Sequence, residues 1–251
     1  MKAPVKDVYF TKDRQHAVVS NWGETRIRKF DDAVLVLNLE DGSEIRRFLT
    51  GHVVLSADIS PSNRFLLTAS ANVVTLWDFD SGEAVLKMPD HHNAVVRFHP
   101  DERSFFVTSQ SDGPKLTWYE VSEQEIVRET YPDLGTHYLS SMTVAPDGKR
   151  LIVADTGIVV IDLHDNQHIK EWKSSGKQLP IRDLAISPDC KLLASVARDC
   201  FIRLWELERG EEITSVSAHT DVILSTKFSP DGLYLLTGGG DHAACLWRIE
   251  R

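Results

Sequence analysis

The sequence has no apolar run long enough to span a membrane, no cysteine spacing that suits a metal, and no excess of positive charge. The first absence excludes a transmembrane helix, which needs about 20 apolar residues in a row. The opening segment "MKAPVKDVYFTKDRQ" also lacks the apolar stretch of a signal peptide, so the expectation is a soluble, cytoplasmic chain. Cys190, Cys200 and Cys245 form no C-x-x-C pair and are odd in number, which points to free thiols in a reducing compartment. A formal charge of −9 with a pI near 5.6 argues against broad electrostatic binding to nucleic acid or an anionic membrane. Segments with helical periodicity are missing as well.

What is present is a repeat. The stretches "ISPSNRFLLTASANVVTLWDFDSGEAV", "ISPDCKLLASVARDCFIRLWELERGEEI" and "FSPDGLYLLTGGGDHAACLWRIE" follow one template, and "FHPDERSFFVTSQSDGPKLTWYEV" and "VAPDGKRLIVADTGIVVIDLHDNQHI" are more worn copies. Pro61, Pro100, Pro146, Pro188 and Pro230 are separated by 39, 46, 42 and 42 residues. A sixth copy without the proline fills the first fifty residues, with "VKDVYFTKD", "HAVVS", "AVLVLNLEDG" and "EIRRF" in the same four slots. Short alternating runs bounded by Ser-Pro-Asp and Asp-x-x-x-Gly turns predict a four-stranded antiparallel sheet for each copy. A period in this range belongs to β-propeller arrays, in which each small sheet packs face to face with its neighbours.

At Gly51-His52, Ala218-His219, Trp77-Asp78, Trp205-Glu206 and Trp247, and at Asp112, Asp199 and Asp241 six residues ahead of a Trp, the chain resembles the WD40 repeat family over essentially its whole length. The resemblance implies an all-β, WD40-type β-propeller with six recognisable four-stranded blades in a single domain over 1–251, divided near 1–50, 51–89, 90–133, 134–176, 177–217 and 218–251. It also implies a structural tetrad of His, Ser or Thr, Asp and Trp, matched in the sixth copy by His219, Thr237, Asp241 and Trp247. A buried Asp, Trp N–H and His ring each need partners, so such a set satisfies itself and holds a blade together. Other copies depart from the pattern: Asn72 replaces the Asp in the second, Ile161 the Trp in the fourth, and the fifth has no His before Pro188. Apolar packing is expected to hold those blades, with the fourth the least stable.

Catalytic residues, cofactors and metal sites are not expected. Among the inner strands only Asp7, Asp58 and Asp183 offer carboxylates, at unequal positions that make no ring of ligands. "DHH" at Asp90 to His92 sits where a structural His sits in other copies, "GGGD" at 238 to 241 reads as small residues in a strand and turn, and "SSGK" at 174 to 177 lacks the flanks of a phosphate loop. The family resemblance instead implies a non-enzymatic scaffold whose top face binds a protein or peptide through side chains six and eight residues before the proline marker. Those are Lys6, Leu55 with Val53, Ala94 with His92, Ser140 with Tyr138, Arg182, and Leu224 with Val222.

The first copy carries an insertion between its second and third strands, since Ser20 to Leu37 spans 17 residues where Thr237 to Trp247 spans 10. Its loop "NWGETRIRKFDD" brings Trp22, Arg26, Arg28 and Lys29, a mixture that suits an interface. Two other functions compete: a metal-dependent propeller hydrolase or lactonase, which stoichiometric metal would reveal, and RNA binding, which steep salt dependence would reveal. The last copy stops after three strands. The expectations that follow are a portion of a longer propeller, a six-blade ring without one outer strand, or a strand supplied by another chain, with self-association through the open final blade.

Overall fold

In the computed structural model, residues 5–11, 13–21, 33–110, 115–121, 126–130, 139–164, 168–173 and 179–250 are described. They contain 23 β-strands and no helix, and hence no helix long and apolar enough to cross a membrane. The architecture is a β-propeller of six antiparallel sheets, five of four strands and one of three. The chain divides into two compact units, Met1–Asp133 and Leu134–Arg251.

In the first unit, β1 (Val5–Phe10), β2 (His16–Asn21), β3 (Ala33–Asn38) and β4 (Glu44–Leu49) form one sheet. The second holds β5 (Val54–Ile59), β6 (Phe65–Ser70), β7 (Val73–Asp78) and β8 (Ala84–Pro89). The third holds β9 (Val96–Phe98), β10 (Ser104–Ser109), β11 (Lys115–Val121) and β12 (Ile126–Thr130). In the second unit the fourth sheet is β13 (Ser141–Val144), β14 (Arg150–Ala154), β15 (Ile158–Asp162) and β16 (His168–Trp172). The fifth is β17 (Ile181–Ile186), β18 (Leu192–Ala197), β19 (Phe201–Glu206) and β20 (Glu211–Ser217). The sixth contains β21 (Ile223–Phe228), β22 (Tyr234–Gly239) and β23 (Ala244–Arg248).

One turn recurs in all six copies. Ser60, Ser187 and Ser229 each accept, on Oγ, the amide proton of the residue five further on, at 2.9 to 3.0 Å. Thr11 does the same for His16 in the copy without the proline, at 3.0 Å. Each turn then places one residue in the left-handed region: Arg14, Asn63, Glu102, Gly148, Cys190 and Gly232. A side-chain acceptor beside a positive φ closes a tight strand connection, which explains why a Ser or Thr precedes the second strand in four of the six copies.

In the middle sheet of each unit the second strand, β6 or β18, is covered on both faces because a sheet stacks on each side of it. β6 and β10 are buried almost throughout, whereas the outer strands β8 and β20 are largely exposed. The outer strands β4, β8 and β16 each contribute a large side chain to the next sheet. Phe48 on β4 meets Trp77 edge to face at 5.7 Å between ring centroids, and Met88 on β8 joins Phe98, Phe105 and Tyr119. In the second unit Trp172 on β16 stacks on Trp205 at 6.1 Å. Gly210, at φ +73°, makes room for it: a Cβ there would fall inside the Trp172 indole. Burying such a side chain contributes roughly 1.5–3 kcal/mol, so these few anchors carry much of the stacking.

Candidate functional site

Four of the sequence-predicted contact positions share one backbone feature. The register between the first two strands slips between Val5 and Asp7, Val54 and Ser56, Ile181 and Asp183, and Ile223 and Ser225. Lys6, Leu55, Arg182 and Leu224 are therefore the extra residues of equivalent β-bulges. A bulge bends the strand and re-aims the extra side chain, here at the start of the inner strand. Arg182 is exposed, Leu224 is 53% exposed and Leu55 is half-buried.

The other predicted contacts divide. His92 is exposed, and Val53 and Val222 are half-buried, but Ala94 is buried at 2% and presents no surface. Ser140 is engaged within its own unit, donating through Oγ to the carbonyls of Ala154 at 3.0 Å and Ile181 at 2.6 Å. Trp22, Arg26, Arg28, Lys29 and Tyr138 lie outside the described residues, as does Asp112. Strand register also revises the size of the first-copy insertion. Val19, which pairs with Leu35, occupies the place of Thr237, which pairs with Cys245, so a span of 16 residues stands where the sixth copy has 8, one more extra residue than spacing from Ser20 gives.

Beside the bulge of the fifth sheet lies a second cation that sequence spacing had not singled out. Ile181 pairs with Ala197, and Arg198 follows directly, so Arg182 and Arg198 leave the same end of the β17–β18 hairpin. Both are exposed, and among the described residues neither forms a salt bridge. Partial burial first, and the neighbouring Arg198 cation second, hold the Arg182 guanidinium below its ordinary pKa. The adjacent carboxylates are already used. Asp183 accepts the amides of Leu184 and Thr226, both at 2.9 Å, and Asp199 pairs with Arg203 at 2.5 Å.

In the sixth sheet His219 Nδ1 lies 3.0 Å from both carboxylate oxygens of Asp241, and its Nε2 lies 2.9 Å from Thr237 Oγ1. Trp247 Nε1 donates to the same Thr237 oxygen at 3.0 Å. In the tautomer whose Nδ1–H donates to Asp241, Nε2 accepts from the Thr237 hydroxyl, so the polar atoms that link these four side chains all have partners. His219 is buried inside the unit, far from a catalytic arrangement open to substrate. The hydrogen bond from His219, and next the amide of Thr220, lower the Asp241 carboxyl to about 2. Gly239 makes the pair feasible, because a Cβ there would collide with both His219 and Asp241.

The remaining sheets keep parts of this arrangement. Thr68 accepts from Trp77 Nε1 at 2.8 Å and Ser195 from Trp205 Nε1 at 2.9 Å, while His52 is exposed. In the fifth sheet Arg203 serves Asp199 where the sixth uses a His. Spacing from Asp112 points to Trp118 in the third copy, but register places Tyr119 opposite Phe105, as Trp77 stands opposite Leu66. His91, buried, bonds the Tyr119 hydroxyl at 2.8 Å. Of the three inner-strand carboxylates, the side chain of Asp7 lies outside the described ones, and Asp58 and Asp183 serve the backbone: Asp58 accepts the Phe98 amide at 2.7 Å, as Asp183 does that of Thr226 on the next sheet.

Comparison with known proteins agrees with this pattern. A family described as "WD domain, G-beta repeat" matches residues 43–78, 166–206 and 210–248. The chain is a WD40-repeat β-propeller. This WD40 chain is 26% identical over 200 residues to Periodic tryptophan protein 2 of Arabidopsis thaliana, covering 75% of the chain and 21% of that protein. It is 22% identical over 222 residues to the serine-threonine kinase receptor-associated protein of Gallus gallus, covering 87% and 61%, and 28% identical over 221 residues to the WD repeat-containing protein WDS homolog of Arabidopsis thaliana, covering 82% and 41%. The WD40 chain thus spans between about a fifth and three fifths of these relatives. Among solved structures, Kuenenia stuttgartiensis Hydrazine Synthase superposes with a TM-score of 0.85 over 98% of this chain and 83% of its own, at 14% identity, a likeness of fold alone.

Proposed function

We propose that this WD40 chain is a non-enzymatic scaffold that binds a protein or peptide partner at the surface where its inner strands begin. The observation that carries the reading is the pair of equivalent bulges in the second unit, at Arg182 and Leu224, both exposed; the same bulge recurs in the first unit at Leu55, which is half-buried. An exposed Arg on a rigid strand matches the composition of interface anchors, and an exposed Leu on the adjoining strand adds apolar surface beside it. The relatives named a receptor-associated protein and a WD repeat-containing protein support a role in association. The Trp22 to Lys29 loop extends the proposal to the first copy.

To test it, a partner recovered with the whole chain is measured against Leu224→Asp, Arg182→Ala, Trp22→Ala and Glu83→Ala. Anchor replacement should weaken binding by about 2 kcal/mol. Glu83, in the turn between β7 and β8 at the opposite end of its sheet, should have no effect. Loss at Glu83 alone, with the bulge variants binding like wild type, would reverse the assignment of the face.

A further inference from the structure

The exposed guanidiniums of Arg182 and Arg198 share one hairpin end in a protein of net charge −9, yet neither forms a salt bridge among the described residues. Two like charges brought together without a counter-ion repel each other, so an added anion between them is favoured; the backbone that bears them is fixed by strand pairing. Arg182 is the extra residue of the β17 bulge, and Arg198 follows Ala197, whose backbone pairs with Ile181. The carboxylates next to them in sequence are committed elsewhere, Asp183 to the amides of Leu184 and Thr226 and Asp199 to Arg203. Among the described residues the site therefore offers two guanidinium forks that no carboxylate pairs. Such forks match the planar carboxylate and the phosphate group, which accept paired hydrogen bonds.

On the neighbouring sheet the equivalent bulge position is Leu224, exposed and apolar. β21 adjoins β17, as the Thr226 amide on the Asp183 carboxylate shows. We propose that Arg182 and Arg198 form an anion-binding subsite for an acidic side chain of a protein partner, either a carboxylate or a phosphorylated residue, with an adjoining apolar side chain of that partner resting on Leu224. This deepens the scaffold reading and rests on it. A protein partner is favoured over nucleic acid because the subsite is only two cations wide, beside an aliphatic anchor, whereas a nucleic-acid backbone needs an extended basic track.

The test uses fluorescein-labelled 12-residue peptide pools in which one position is fixed as Leu and its neighbour as Glu, phosphoserine, Gln or Lys. Anisotropy is read with the whole chain at low and moderate salt. Glu or phosphoserine pools should bind about tenfold tighter than Gln pools, the two acidic pools separating the carboxylate from the phosphate source. R182A/R198A should abolish that difference, R182E/R198E should transfer it to the Lys pool, and unchanged thermal melts should show that these variants fold. Equal binding of Glu, phosphoserine and Gln pools overturns the inference, as does a preference that survives R182A/R198A, or tighter binding of a 12-nucleotide single-stranded RNA than of any pool. If acidic preference is absent but Leu224→Asp still weakens every pool, the subsite fails and the scaffold surface stands. If no pool responds to Leu224→Asp or to the Arg substitutions, both fail.

Discussion

The carboxylate of Asp183 on β17 accepts the amide proton of Thr226 on β21 at 2.9 Å, joining the inner strands of two successive sheets. An inner strand is the open edge of its own sheet, so its outward amides lack ladder partners. Asp183 supplies one of them with an acceptor, and Asp58 supplies another, Phe98. These carboxylates are structural bridges.

Removing the bridge leaves a buried amide without an acceptor. Asp183→Ala should therefore destabilise the chain by roughly 1–3 kcal/mol in urea melts, and Asp183→Asn, which retains an oxygen, by less. Asp58→Ala should show a similar loss, with Phe98 as the stranded donor. If Asp183→Ala melts like the exposed control Glu83→Ala, the hydrogen bond contributes nothing and the bridging role is withdrawn.

Stability in acid should depend on Asp241. Its carboxyl sits at about 2 in the folded chain against an ordinary 3.8, lowered first by the hydrogen bond from His219. A lowered folded value means that the carboxylate's contribution is complete above the ordinary value and is lost as pH falls from about 4 toward 2. Asp241→Asn should remove that part of the decline in a pH series of thermal melts. Gly239→Ala should do the same and also destabilise at neutral pH, by roughly 1–3 kcal/mol, because its Cβ takes the space of the His219–Asp241 contact. Parallel acid profiles for wild type and both variants would contradict the assignment.

Leu236 and Leu246 are cross-strand partners, 49% and 65% exposed. In the second sheet the same pair is Leu67 and Leu76, and in the fourth Ile152 and Val160, all buried under the next sheet. An apolar sheet face left open favours association. We predict that the 251-residue chain self-associates through this face, giving a scattering mass that rises with concentration, and that Leu236→Lys with Leu246→Glu suppresses the rise. A concentration-independent mass for the wild-type chain would remove the prediction.

Much of the fold was legible because its rules are local. The turn after each first strand places one residue in the left-handed region, and four of the six copies open it with a Ser or Thr, all within five positions, so the copies announce themselves even where the proline is missing. The third copy shows the limit. Asp112 points by spacing to Trp118, yet pairing of β10 with β11 puts Tyr119 opposite Phe105 and gives its hydroxyl to His91. A single residue of register decides which face a side chain occupies, and spacing alone carries that ambiguity.

By itself the sequence determined the number of repeats, the all-β class, the strand order within each copy and the four members of the sixth-copy tetrad. These follow from periodicity, turn chemistry and the need of buried polar groups for partners, which neighbouring residues express. Only the tertiary structure decided that Ala94 is buried while Leu224 is exposed, that Asp183 serves a distant amide, that Arg203 replaces a missing His beside Asp199, and that Arg198 joins Arg182. The Arg203–Asp199 pair lies within one copy but departs from the template, so the repeat pattern does not announce it. The others depend on a bulge, on the pairing of two strands or on the stacking of one sheet against the next, which bring together residues that spacing within a repeat does not connect.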